Sequence, residues 1–279
     1  MQRRVFIQKS SLALAGVWLG SQALAQNQKA IGLQLYTLRD VIFKDPKAVL
    51  KQVADMGYTH VETFGYRDGK LFGMTNKEFI DYVRSLGMKI TSGHYGIDLV
   101  RGNWEKAVTD AKEAGQQYMV VPWLPDAERS QDGYKRVIDD LNKAGEVAKK
   151  YGVRLGYHNH AFEFDLLNGQ RPYDMMLAGL DKNLVAMEMD IYWVVKAGQK
   201  PLEYFAQHPG RFELWHVKDM DKNDATRNAD VGTGSIDFSV LFAKADLAGL
   251  KHFYVEQESY SVNSITSTQN CIQNLKKIL

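Results

Sequence analysis

The chain predicts a (β/α)8 barrel. Three observations carry the prediction: helix-like stretches that end in glycine, apolar β-branched runs that follow them at once, and recurrence of that unit at roughly 30-residue spacing along one chain. Glycine after a helix suits the left-handed C′ position, and a continuously apolar run suits a strand buried on both faces. A doubly wound sheet is the runner-up. It loses ground because residues 33–39, after the first run, contain no glycine and so offer no dinucleotide fingerprint.

The first 25 residues stand outside the repeat. Arg3 and Arg4 precede Phe6, Ile7 and Lys9, an apolar stretch covers residues 12–19, and Ala23-Leu24-Ala25 supplies a small-residue cleavage pattern. This predicts a twin-arginine export signal cut after Ala25, and hence a periplasmic or otherwise exported enzyme. The apolar run is well short of the ~20 residues a spanning helix needs, so no membrane attachment is expected after cleavage. Removing residues 1–25 takes away Arg3, Arg4 and Lys9 and no acid, so a formal charge of +2 becomes −1. A near-neutral surface supplies no groove for a polyanion, which argues against a nucleic-acid partner. Cys271 is the sole cysteine, so an internal disulfide is excluded and stability must come from the core.

Residues 26–279 are expected to form one catalytic barrel. Its strands are predicted at 31–35, 58–61, 88–91, 118–121, 153–157, 184–187, 212–217 and 253–255, with Gly57, Gly87, Gly115, Gly152 and Gly249 as helix ends. Between them, Asp45 and Pro46 read as cap and first helical residue, with Val49, Leu50, Val53 and Met56 on one face. Thr75 and Glu78 form a capping-box pair before Phe79, Ile80 and Val83. Val137, Ile138, Leu141, Ala144 and Ala148 line a further helix.

A barrel of this kind carries its chemistry at the C-terminal ends of the strands. Read in order, those ends offer Gln34, Tyr36 and Arg39; Glu62; Ser92 and His94; Pro122 and Trp123. Each alone has an ordinary structural reading, and only their shared position makes them candidates. The fifth end is denser, with His158, Asn159, His160 and Glu163 inside GYHNHAFEF. The sixth gives Glu188 and, two residues on along the same face, Asp190. The seventh gives His216, Lys218 and Asp219, and the eighth Glu256 and Glu258. Oxygen and imidazole donors without thiolates suit a divalent ion, Mn²⁺ before Mg²⁺, Co²⁺ or Zn²⁺.

The ordered set GYHNHAFEF, MDIYW, WHVKD and YVEQE, with the opening IGLQLYTLRD, resembles the sugar phosphate isomerase/epimerase family, whose fold is similar to xylose isomerase. That resemblance implies a metal held by Glu, Asp, His and Glu from strands five to eight. Asp190, His216 and Glu256 match the last three. For the first, Glu163 reaching back is the expectation and His158 the competitor. The implied chemistry is proton abstraction beside a carbonyl on an unphosphorylated sugar or keto-sugar, with Glu256 and the Glu163/His160 side as acid–base groups. Lys218 would face a developing oxyanion or, equally, pair with Asp219. His94, Glu62, His158, Trp193 and Trp123 are the expected substrate contacts. Tyr157, Tyr192 and Trp215 are further rings on which a pyranose could stack. A lyase acting on 3-keto-glycosides or inososes is the close alternative, and a non-catalytic sugar-binding protein is the alternative from another class. The small-molecule partner is a carbohydrate, and a homo-oligomer is compatible with the sequence.

Overall fold

Parallel pairing joins all eight predicted runs into one sheet. In the computed structural model, which describes residues 30–279, the strands are β1 (Gly32–Gln34), β2 (His60–Thr63), β3 (Lys89–Gly93), β4 (Tyr118–Val121), β5 (Arg154–His158), β6 (Val185–Asp190), β7 (Leu214–Val217) and β8 (His252–Val255). The export-signal expectation for residues 1–25 lies outside the described residues. Hydrogen-bonded order runs β3-β2-β1-β8-β7-β6-β5-β4. The ring is drawn together between β3 and β4 by the parallel bridge His94↔Val120, with Tyr95 N–H donating to the Val120 carbonyl at 2.8 Å.

Helices between the strands include α1 (Pro46–Met56), α2 (Asn76–Ser85), α3 (Trp104–Ala114), α4 (Gln131–Lys150), α5 (Pro172–Gly179), α6 (Pro201–Gln207) and α7 (Phe238–Phe242), and α8 (Ser264–Ile278) follows β8. The caps form as the sequence predicts. Asp45 accepts from Ala48 N–H at the start of α1, Gly57 closes it at φ +97°, and Thr75 and Glu78 make the reciprocal capping box of α2.

Several strands end one to three residues later than their apolar runs. Glu62 and Thr63, Ser92 and Gly93, His158, and Glu188 to Asp190 all lie within strands. A strand inside a barrel needs backbone partners, not apolar side chains, so polar residues extend it wherever the lumen gives them hydrogen bonds.

Alternation decides what each strand sends inward. Tyr118, Val120, Ala186, Leu214 and Tyr254 pack together as the lumen core, separate from the larger core under the helices. The register extends that face. Gly32 sits beside His60 and Tyr254, Val120 beside Gly156, Gln34 beside Glu62, His158 beside Glu188, and Asp190 beside His216. Gly32 is required there, because a Cβ would lie 2.5 Å from both His60 Nε2 and Tyr254 Cδ1. The apolar and aromatic layers thus fill the lower lumen, and the carboxylates and imidazoles fill the end toward which all eight strands point.

Candidate active site

At that end two groups of four residues share one histidine. In the outer group, His158, Asp190, His216 and Glu256 each offer a ligand atom, and these atoms lie within 4.8 Å of one another. In the inner group, Glu62, His94, Glu188 and His216 do the same. His158, Asp190, His216, Glu62, Glu188 and Glu256 are all buried.

The donors show how each histidine is held. A carbonyl can only accept, so the 3.1 Å contact from His158 Nδ1 to the Pro122 carbonyl places a proton on Nδ1. That leaves Nε2 as a bare donor atom, buried without a hydrogen-bond partner and 3.4 Å from Asp190 Oδ2. His216 Nε2 donates to Glu62 Oε2 at 2.6 Å, and its Nδ1 lies 3.0 Å from Glu256 Oε2. Glu62 is itself fixed by Gln34 Nε2 at 2.8 Å and the Ser92 hydroxyl at 2.6 Å. Backbone carbonyl to His158, and carboxylate to His216, are the supports that metal-ligating histidines use.

Charge agrees with a cation at the outer group. Burial would raise the Asp190 and Glu256 pKa values, but Lys218 and the neighbouring imidazoles hold both well below the usual carboxylate range. Burial would likewise lower the His216 pKa, yet Glu188, Glu256 and Glu62 raise it well above normal. A field that keeps a proton on a buried imidazole also favours a divalent ion in its place. Lys218 Nζ donates to Asp190 at 3.4 Å and Glu256 at 3.2 Å and touches Glu258, so one ammonium meets several carboxylates and leaves negative charge over. The donor set fits a divalent cation through two imidazole nitrogens and two carboxylate oxygens.

Above the outer group opens a cavity of about 540 Å³ walled by Tyr36, Phe64, His94, Trp123, His160 and Glu258, among others. Trp123 is 47% exposed and stands as a ring at its rim. His160 lies between Phe162, stacked at 9°, and Trp193, 5.2 Å away, and burial drives its pKa down to about 2, so it meets a substrate as neutral imidazole.

Several expected positions come out differently. Glu163 does not join either group. Tyr157 points outward into the helix-side core, its hydroxyl donates to Glu163 Oε1 at 2.7 Å, and His160 N–H donates to Oε2 at 2.9 Å. The carboxylate is therefore held on the helix side of β5, and His158 fills the fifth-strand place among the candidate ligands. Glu62 is fully buried under the cluster and faces His216 instead of the cavity. His94 does wall the cavity, but its Nε2 is directed at Glu188 at 3.1 Å. Trp193 packs 5.1 Å over the Lys218 ammonium. Tyr157 and Trp215 are core, and Tyr192 is buried. Lys218 does not pair with Asp219, which instead accepts from the backbone N–H groups of Met220, Gly232, Gly234 and Ile236 and shapes the loop after β7. Phe64 also walls the cavity and was not among the sequence candidates, although it directly follows β2, where the strand-end rule points.

With fold and geometry in place, the comparisons identify the class. Residues 50–278 match the xylose isomerase-like TIM barrel family, to which the chain belongs. Two crystal structures of a sugar phosphate isomerase/epimerase from Parabacteroides distasonis superpose with TM-scores of 0.78 and 0.79 at 29% identity, covering 90% of this chain and 95% and 98% of theirs. An inosose dehydratase from Clostridium perfringens is 24% identical over 184 residues, 64% of this chain and 57% of its own length. The IOLI protein with a bound zinc atom shares the fold at TM-score 0.68 and 12% identity, over 90% of this chain and 98% of that one. The proteins this chain resembles in sequence thus include a sugar phosphate isomerase/epimerase and inosose dehydratases.

Proposed function

We propose that this chain is a divalent-metal-dependent enzyme that removes the proton beside the carbonyl of an unphosphorylated keto-sugar or inosose. The observation that carries the reading is the outer group: donor atoms of His158, Asp190, His216 and Glu256 within 4.8 Å of one another under an open cavity. A bound divalent ion supplies a positive charge that stabilises an enediolate oxygen. The protein's own residues do the rest. Glu62 and the Pro122 carbonyl orient the two imidazoles, Lys218 adds fixed positive charge, and Trp123 offers a ring for the apolar face of a sugar. Two imidazoles in the set move the preference from Mg²⁺ toward Mn²⁺, Zn²⁺ or Co²⁺. The zinc of the IOLI protein supports that range.

Two fates of the enediolate are open to such a site. Return of a proton gives isomerisation or epimerisation, as the Parabacteroides likeness suggests. Loss of a β-hydroxyl gives a lyase, which the likeness to inosose dehydratases favours. Keto-sugars and inososes incubated with enzyme in D2O should gain deuterium on the carbon next to the carbonyl. Turnover with hydrogen migrating from carbon to carbon and no solvent deuterium would overturn the enediolate reading. The export reading has its own test: Arg3→Lys with Arg4→Lys should leave precursor in the cell, and normal processing after Ala25 would count against it.

A further inference from the structure

Within the cavity one carboxylate and two of the imidazoles are already committed, while the His160 ring has no hydrogen-bond partner among the described residues. His158 and Glu256 belong to the candidate ligand set, and His94 Nε2 is bonded to Glu188. Glu163, the fifth-strand carboxylate the sequence suggested, is held outside it by Tyr157. Glu258 differs from all of these. It walls the cavity, its side chain is 35% exposed against 5% for Glu256, and only its Oε1 is engaged, by Lys218. Among the described residues no protein group donates to Oε2.

Glu258 is also held where it is by elements far apart in sequence. Its N–H donates to Asn228 Oδ1 at 2.8 Å, and its carbonyl accepts from Arg39 Nη2 at 2.6 Å. Asn228 sits in a two-residue ribbon paired with Asp219–Met220, in the loop that Asp219 organises through four backbone amides. Arg39 is fixed in turn by Tyr260 Oη at 2.9 Å and lies over the Tyr36 ring. A residue beyond the end of β8 would ordinarily be a loop residue with freedom to swing. Here backbone clamps on both sides and an ammonium at the carboxylate hold a cavity-lining residue with one carboxylate oxygen free of protein donors, which is the preorganisation proton transfer needs.

We propose that Glu258, and not Glu256, is the carboxylate that takes the proton from the substrate. The inference rests on the enolisation reading above. The C–H bond beside the carbonyl breaks, its electron pair forms the C=C bond of the enediolate, the carbonyl π pair moves onto oxygen, and the proton goes to Glu258 Oε2. In the lyase the oxygen pair re-forms the carbonyl, the enediolate C=C pair moves to become Cα=Cβ, and the Cβ–O bond breaks with its pair going to the hydroxyl, which takes the proton from the Glu258 carboxylic acid and leaves as water. In the epimerase the proton on the opposite face comes from a solvent molecule, on the side of the cavity that carries His160, two residues past the end of β5.

The test compares wild type, Glu258→Gln and Glu258→Asp. Each is assayed for bound metal, thermal stability, dissociation constant and D2O exchange on 2-keto-myo-inositol and on methyl 3-keto-glucoside. Glu258→Gln should keep wild-type metal content and bind within about threefold, yet exchange roughly 10²–10⁴-fold more slowly, with Glu258→Asp in between. If wild type exchanges and Glu258→Gln exchanges at the same rate, the assignment is overturned while enolisation stands. Loss of metal or of folding in Glu258→Gln, with slow exchange explained by it, also overturns the assignment, because the residue is then structural. If wild type exchanges with neither probe, the enolisation reading itself falls and this inference falls with it.

Discussion

The inner and outer groups contain the same kinds of side chain, two carboxylates and two imidazoles, and share His216, yet the protein treats them in opposite ways. In the inner group Glu62 is saturated by Gln34, Ser92 and His216, and His94 lies between Glu62 and Glu188. Burial and the neighbouring Glu62 carboxylate push the Glu188 pKa up, while Glu62, facing His94 and His216, is held well below the usual range. Protein donors fill most of the place a cation would take, and the one oxygen left without a partner, Glu188 Oε1, belongs to a residue that does not line the cavity. In the outer group the His158 Nε2 atom has no partner, and the cavity reaches His158 and Glu256. Ligand type alone does not define a metal centre. An unsatisfied donor atom with a route to solvent is what singles out the outer group as the candidate, because a buried polar atom without a partner is costly unless something arrives to satisfy it.

The largest expected effect separates the two groups directly. Asp190→Ala should abolish metal binding and activity, whereas Glu188→Gln should keep its metal and much of its activity. The reverse pattern, measured by metal analysis of the purified variants, would move the centre inward. Lys218 keeps Glu256 and Glu258 as partners when Asp190 is removed, so stability should fall far less than metal content does.

A smaller effect tests the link between the groups. If Glu62 acts by fixing His216 Nε2–H so that Nδ1 faces outward, Glu62→Gln should weaken metal affinity by about 10–100-fold without abolishing it. Competition with a chelator would measure this. Unchanged affinity would mean that the inner group is a separate structural network.

The smallest effect concerns the carboxylate that lies outside both groups. Burial pushes Glu163 up to about 7 despite the bonds from Tyr157 and His160. A carboxyl whose folded pKa exceeds its unfolded value of about 4.5 stabilises the fold fully at pH below 4.5. That contribution is lost as pH rises through 7. Glu163→Gln should therefore keep its metal and remove this part of the wild-type fall in stability between about pH 4.5 and 7. Loss of metal in this variant would return Glu163 to the ligand set in place of His158.

Much of the barrel was legible because its signals are local. Glycine ends, helix caps and apolar runs each depend on a few neighbouring residues, and all eight strands lie at or beside their predicted runs. The period-two alternation then placed Asp190, His216 and Glu256 on the inward face, since each follows the lumen parity of its own strand. Strand ends were less legible. Hydropathy stops at the first polar residue, whereas hydrogen bonding continues through Glu62, Ser92 and Asp190.

What the sequence determined by itself was the repeat, the family resemblance and which strand ends carry ionisable groups. What only the tertiary structure decided was how those groups divide. Glu163 and His158 are both close to the fifth strand end, but Tyr157 and His158 point to opposite sides of it, and Glu163 is bonded to the one facing the helices. Glu62 and Glu188 read only as strand-end candidates until the closed barrel places Glu62 against His216 and Glu188 against His94. The position of Glu258 depends on Arg39 and Asn228, 219 and 30 residues away along the chain. Parity and local capping are fixed by a residue and its neighbours, but satisfaction of a buried donor is fixed by whatever the closed barrel brings to it, and closure joins residues that no local pattern connects.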